Sequence, residues 1–353
     1  MASAVLHSHS SPLGETLPSS PRDLFGRDKL VDDIVGLARN LESIALVGPV
    51  GIGKTSIALT LLHDRRIRQR FGENLRFIPC DKLPASYTGF LAQLSNILGA
   101  GVKNPQSLKA LLPFLSSKEM LIVLDNAESI LYLNEEISSA VEELCQLETI
   151  SLCITSFIMI VPWSCKRLEI PPLSMEAACK VFYTMYGNDA QSAIVEDLVK
   201  CLDFHALSIT LLAINAREQG WDHNQLKQEW KTKNVQILQS RHHQSLECSI
   251  QPMLTTPPSH VFGPDVRGLL GVLAFCPQGI TSKNLKKLFP DIKNIEGIFN
   301  AFRLWSLVYC SDGLFKMLAP FRLLFGPKDL ESSPLCCRIR QHLQFTLDHS
   351  KIE

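Results

Sequence analysis

The chain has 353 residues, 46% hydrophobic and 20% charged, which is enough for two or three packed domains. Lys and Arg total 35 and so do Asp and Glu, so no overall field draws the chain to nucleic acid or an anionic membrane. The longest apolar stretch, Ile150 to Trp163, is too short to span a bilayer, and 11 cysteines without a C-x-x-C pair read as reduced residues of a cytoplasmic protein.

Residues 1 to 22, rich in Ser, Pro and His, read as a disordered tail with neither a secretory apolar core nor an arginine-rich presequence. After the turn Leu24-Phe25-Gly26-Arg27, helical periodicity starts at Asp28 and puts Leu30, Ile34, Leu37 and Leu41 on one face. Ser43 to Val47 is a short β-rich apolar run. Directly after it stands Gly48-Pro49-Val50-Gly51-Ile52-Gly53-Lys54-Thr55, which matches G-x-x-x-x-G-K-[ST], and Ser56 to Leu62 continues as a helix. Strand, glycine-rich loop and helix in that order make a phosphate-binding loop. Glycines let backbone N–H groups turn inward, and the helix adds its positive N-terminal end. Lys54 is expected to reach β and γ oxygens and Thr55 to give its hydroxyl to Mg²⁺.

Leu75 to Cys80 predicts a strand, with helices near 87 to 98 and 106 to 115. Met120-Leu-Ile-Val-Leu-Asp125 reads as a buried parallel strand ending in an acid, and downstream of a P-loop Asp125 is the metal-binding candidate. Asn126 follows it, and an amide cannot take a proton from water. Glu128 is the nearest carboxylate able to act as general base, and a solvated acid at a helix start is the other reading of it. A helix near 135 to 147 and a strand from Thr149 to Ser156 complete a parallel, doubly wound sheet.

From Ser174 the pattern turns helical. Asp222 with Gln225 makes a capping box for a helix carrying Leu226, Trp230 and Ile237. Residues 241–262 are polar and Pro-rich, as a linker is. Helices are then expected around 264 to 275, 282 to 289 and 294 to 304. Leu307 to Cys310 and Leu314 to Met317 flank an Asp-Gly turn, which gives a winged-helix-like unit. Its third helix offers only Arg303 as a cation, so internal packing is favoured over DNA reading. The expected division is a tail at 1–22, a P-loop domain at 23–170, a helical subdomain at 171–240, the linker, a winged-helix-like domain at 263–325, and a helical tail or start of a repeat region at 326–353.

Over residues 24 to 325 this order of parts resembles the NB-ARC nucleotide-binding domains of the STAND class of P-loop NTPases, and most of all those of mushroom-forming fungi. The resemblance implies that Phe25, Gly26 and Arg27 contact adenine, that Gly48 to Ser56 hold the phosphates, and that Thr55 and Asp125 hold Mg²⁺. Ile154-Thr155-Ser156 looks like the family's sensor strand, but Phe157 stands where an arginine would reach the γ-phosphate. Ala206 replaces the proline of the Gly-Leu-Pro-Leu motif, and His205 beside it is either a nucleotide neighbour or a helix cap. Met317-Leu318-Ala319 takes the place of Met-His-Asp, so the histidine that holds ADP is missing.

The resemblance implies an ATP/ADP-binding switch in signal transduction, at most a slow Mg²⁺-dependent ATPase, whose state is read by protein partners or self-association. A degenerate scaffold and a true ATP-consuming enzyme are the alternatives. Neither an arginine finger nor a substrate base is evident, and Arg65, Arg66, Arg68 and Arg70 read as a solvated helix end.

Overall fold

The structure is a computed structural model that describes residues 17–132, 134–188, 192–238, 266–290, 292–311 and 313–325. The linker at 241–262, residues 1–16 of the tail and the segment 326–353 lie outside the described residues. The chain divides into two compact units. One comprises residues up to Val47, Lys54–Ser156 and Val161–Glu169; the other comprises Gly48–Gly53, Phe157–Ile160 and everything from Ile170.

The first unit is a five-stranded parallel sheet clothed by helices. Its strands are β1 (Ile44–Val47), β2 (Leu75–Pro79), β3 (Met120–Asp125), β4 (Ile150–Ser156) and β5 (Lys166–Glu169), in the spatial order β2-β3-β4-β1-β5. Every residue of β1, β3 and β4 is buried, which is why these strands read as unbroken apolar runs instead of alternating ones. The helices are α1 (Asp28–Arg39), α2 (Lys54–His63), α3 (Arg65–Phe71), α4 (Tyr87–Leu98), α5 (Leu112–Leu115), α6 (Glu128–Leu131) and α7 (Glu135–Cys145). Asn134 caps α7, its side-chain oxygen accepting from the N–H groups of Glu136 and Ile137.

The helix expected near 106 to 115 is a 3-10 turn, Leu108–Ala110, followed by the short α5, and Arg65 to Arg70, read as the end of the P-loop helix, belong to the separate α3 capped by Asp64. Two further features also differ from the sequence reading. Helix α1 buries Val31, Ile34, Val35 and Ala38, a stripe rotated by about one position from Leu30, Ile34, Leu37 and Leu41. Leucine and valine are equally apolar, so periodicity alone could not choose between the two stripes. Strand β5 has the sequence Lys-Arg-Leu-Glu and is largely exposed. It lies at the sheet edge, where charged side chains are normal and no hydrophobic run signals a strand.

In the second unit α8 (Met175–Tyr186), α9 (Ala193–Cys201), α10 (Ala206–Glu218) and α11 (His223–Lys233) pack together, α8 lying against both α9 and α10. The expected capping box is present. Asp222 Oδ1 accepts from the N–H groups of Asn224 and Gln225 at 2.8 Å each, and Gln225 Oε1 accepts from Asp222 N at 2.9 Å. Farther on, helices Val266–Ala274, Ser282–Leu288 and Ile295–Leu304 precede a small antiparallel sheet of β6 (Ile280–Thr281), β7 (Tyr309–Ser311) and β8 (Leu314–Lys316), in the order β6-β8-β7. Three helices and a three-stranded wing form the winged-helix-like part, and the helix Ala319–Leu324 ends it. Ile295, Phe299 and Phe302 of its third helix are buried, so that helix supports the core.

Candidate functional site

In the first unit, strand β3 delivers Asp125 to the carboxyl edge of the sheet and α2 opens with Lys54 and Thr55. Ligands of open α/β sheets sit beyond this edge. Thr55 Oγ1 donates to Asp125 Oδ1 at 2.8 Å. The same oxygen accepts from Thr155 Oγ1 at 2.6 Å. Thr155 can reach because β4 lies between β1 and β3. Its hydroxyl oxygen in turn accepts from Asn126 N at 3.0 Å, which ties down a residue held at φ +55. One threonine thus fixes both the carboxylate and the backbone that follows it.

Lys54 is buried, and burial lowers its pKa to about 8 against the opposing pull of Glu128 and Asp125. Glu128 opens α6 and is only 9% exposed, so it is not a solvated helix-start acid. Arg27 is the N-cap of α1; its carbonyl accepts from Val31 N at 2.8 Å and its guanidinium is buried, which lowers its pKa. Phe25 is half-buried in the preceding turn. Ser56 is half-buried, its carbonyl accepting from Thr60 Oγ1 at 2.9 Å.

In the second unit the loop segment Gly48–Gly53 meets the turn between α9 and α10. Leu207 N donates to Gly51 O at 3.0 Å, and His205 Nε2 lies 2.9 Å from the Val50 carbonyl oxygen. Gly51 has φ +78, and a Cβ there would fall 2.7 Å from Leu207 Cβ, so neither its backbone nor its surroundings admit another residue. Gly53 is also left-handed, at φ +106, but a Cβ on it would meet nothing within 4 Å. That side of the loop is open, as a phosphate cradle requires. Pro49 O accepts from Ile52 N at 3.4 Å, and Ile52 is buried while Pro49 and Val50 are half-buried. Gly48 packs near the Ile170 carbonyl.

His205 is fully buried. It caps α10 with Nδ1, which accepts from Ser208 N at 3.4 Å and lies 2.9 Å from Ser208 Oγ. Of the two sequence readings, helix cap and nucleotide neighbour, the cap geometry is present, and the ring's other nitrogen lies against the Val50 carbonyl. The turn before it is strained: Asp203 and Phe204 have φ +47 and +57. Asp203 Oδ2 accepts from Ala319 N at 2.6 Å and from Arg322 Nη1 at 2.9 Å, and Phe321 meets the His205 ring edge-on at 6.0 Å. Phe157 is buried against Trp305 with ring centroids 6.0 Å apart, and Leu318 is buried too.

The donor set suits a nucleotide with its metal. A hydroxyl and a carboxylate are hard oxygen ligands of the kind Mg²⁺ takes, with phosphates and waters filling the remaining positions. Among the described residues no group of three or more His, Cys, Asp and Glu side chains converges on a metal, which such a site does not need. Sequence reasoning missed Thr155 as a partner of Asp125 and missed the Asp203–Arg322 pair. The Thr-Ser ending of an otherwise apolar strand was the available signal for the first; for the second there was none.

No family model matches the chain, and no curated protein matches it. Among solved structures it is similar to a Walker-type ATPase of Pyrococcus abyssi, with TM-score 0.61 and 13% identity over 87% of this chain and 97% of that one. The fold is that of a P-loop NTPase. Two looser likenesses are a STAND protein with a tetratricopeptide-repeat sensor from Pyrococcus horikoshii (TM-score 0.39, 15% identity, 94% of this chain and 46% of that one) and Cdc6p from Pyrobaculum aerophilum (TM-score 0.44, 16% identity, 93% and 97%). Within the P-loop NTPase fold, β1 precedes the motif that starts at Gly48, α2 opens on its Lys54 and Thr55, and β3 carries Asp125, the order that the sequence predicts. No described helix is long and apolar enough to cross a membrane.

Proposed function

We propose that the protein is an ATP/ADP-binding conformational switch of STAND, NB-ARC-like type that works in signal transduction in the cytoplasm, with slow Mg²⁺-dependent hydrolysis at most. The observation that carries this reading is the pair of hydroxyl contacts at Asp125, whose Oδ1 is shared by Thr55 and Thr155, with Lys54 buried within its electrostatic reach. A polyanion with a cation would make use of that arrangement. Lys54 holds β and γ oxygens, Thr55 and Asp125 hold the metal, the N–H groups from Gly48 to Gly53 line the phosphates, Ser56 extends the helix N-terminus toward them, and Phe25 and Arg27 take the base. The bound Mg²⁺ would neutralise phosphate charge. Glu128, buried near Lys54, is the general-base candidate.

Slow turnover follows from Asn126, which cannot accept a proton, and from Phe157, which offers no charge to a γ-phosphate. The working units of the switch are the P-loop domain at 23–170, the helical subdomain at 171–240 and the winged-helix-like domain at 263–325, with protein partners or self-association reading the state. The resemblance to NB-ARC proteins of mushroom-forming fungi supports this division.

The test is the nucleotide released when freshly purified protein is denatured and resolved by anion exchange. Near one ADP per chain supports the switch. Steady hydrolysis above about 1 per second, the range of ordinary enzymes, contradicts it. A degenerate scaffold is the second reading, favoured by the burial of Phe157 and Leu318 in apolar packing at positions where the family places polar contacts. Absence of bound nucleotide, together with no thermal shift on adding ATP or ADP with Mg²⁺, would select it.

A further inference from the structure

Cys145 ends α7 and Cys165 stands one residue before β5, both in the first unit, with their Sγ atoms 3.3 Å apart. The approach is built on both sides. Glu142, one turn back on α7, accepts from Trp163 N at 2.9 Å, from Ser164 N at 3.3 Å and from Ser164 Oγ. Cys165 N donates to Pro162 O at 3.1 Å, and the next residue, Lys166, donates to Ser43 O at 2.8 Å. The two thiols are therefore held facing each other by anchored backbone. An S–S bond is about 2.05 Å long, so closing the pair needs roughly 1.2 Å of movement, within reach of small side-chain rotations.

We propose that Cys145 and Cys165 are a reversible disulfide site, oxidised by exchange with a small-molecule disulfide of the glutathione type. Cys145 is half-buried while Cys165 is 8% exposed, so Cys145 meets the reagent first. Its thiolate attacks one sulfur of the small disulfide, and the other leaves as a thiolate that takes up a proton. Cys165 then gives its proton to solvent and attacks Sγ of Cys145, expelling the second small thiol. Two protein thiols become one disulfide, one small disulfide becomes two thiols, and no further oxidant is required. The hydrogen bond with Cys145 and burial both push the Cys165 thiol up, which suits a resolving thiol that acts only once a mixed disulfide stands beside it.

The bond would staple the end of α7 to the start of β5. That strand is the sheet edge, held on one side by the register from Ile44 with Lys166 to Val47 with Glu169. The oxidised form then exchanges its β5 amide hydrogens more slowly than the reduced form. Nothing in this site depends on nucleotide.

The experiment is incubation of the full chain with oxidised glutathione, acid quench, alkylation and peptide mapping by mass. The expected result is loss of two hydrogens, a cross-linked Cys145–Cys165 peptide, and its reversal by dithiothreitol. Cys165→Ser should stop at a stable glutathione adduct on Cys145, and Cys145→Ser should leave Cys165 unmodified. Exposed Cys201 and Cys310 report that the reagent has reached the protein. Their glutathionylation while Cys145 and Cys165 remain fully alkylatable would overturn the proposal, as would a bridge from either cysteine to another partner or an unmodified Cys145 in Cys165→Ser.

Discussion

His205 Nε2 lies 2.9 Å from the carbonyl oxygen of Val50, 155 positions earlier in the chain. A carbonyl only accepts, so Nε2 carries the proton, and Nδ1 is left to accept from Ser208 N. The neutral tautomer with hydrogen on Nε2 is the one that satisfies both ends of this buried ring. The helical turn thereby fixes the shape of the phosphate-binding loop from outside it.

His205→Ala should therefore weaken nucleotide binding although it removes no phosphate ligand. Losing a buried hydrogen bond costs about 1–3 kcal/mol, so affinity is expected to fall about tenfold or more, with Lys54 untouched. Fluorescent-nucleotide titration of a variant whose circular dichroism matches the parent checks this. Equal affinities would mean that the loop keeps its shape unaided.

Thr155→Val keeps the volume of a residue with no solvent exposure and deletes the hydroxyl that serves both Asp125 and Asn126. Stability should drop by about 1–3 kcal/mol. More tellingly, the Mg²⁺ concentration needed for half-maximal nucleotide binding should rise several-fold, because Asp125 loses one of its two orienting donors. A purely architectural threonine would shift the unfolding midpoint and leave the Mg²⁺ dependence unchanged.

The elements legible from sequence are those whose signals are local. The apolar runs of β1, β3 and β4, the P-loop pattern and the Asp222–Gln225 box each identify themselves within a few residues, and the structure realises all of them. Strand β5 and the Asp203–Arg322 pair were invisible for complementary reasons. Edge strands need no hydrophobic pattern, and an ion pair 119 residues apart leaves no trace in spacing. Glu128 falls between: its type suggested either a base or a solvated acid, and only its burial separates the two.

Asp203 holds an unusual backbone and two donors at once, so its replacements should rank. Asp203→Ala leaves the Ala319 N–H without its acceptor, leaves Arg322 Nη1 with only the Met317 carbonyl, and places a residue without a local hydrogen bond at φ +47, at a cost of about 2–3 kcal/mol. Asp203→Asn tolerates that conformation and can still accept from Ala319 N, so the loss should be nearer 1 kcal/mol. Urea unfolding of the three proteins gives the ranking. Equal loss in Ala and Asn would mean that the charge, and not the N–H contact, holds the segment.

Lys54 links stability and ligand binding to pH. In the folded chain its pKa is lowered to about 8 from 10.5, so between those values the unfolded chain binds more protons than the folded one. Stability of the nucleotide-free protein should therefore rise with pH across that window, and this group should contribute no slope below about pH 8. A bound polyphosphate reverses the balance, because its negative charge favours the ammonium. Nucleotide binding near pH 8 to 9 should take up protons, and affinity should weaken as pH climbs further, approaching tenfold per unit once free Lys54 is largely neutral. Calorimetry in buffers of differing ionisation enthalpy measures the uptake directly. In Lys54→Ala the uptake should vanish together with most of the affinity; a proton uptake that survives the substitution would assign the linkage to another group.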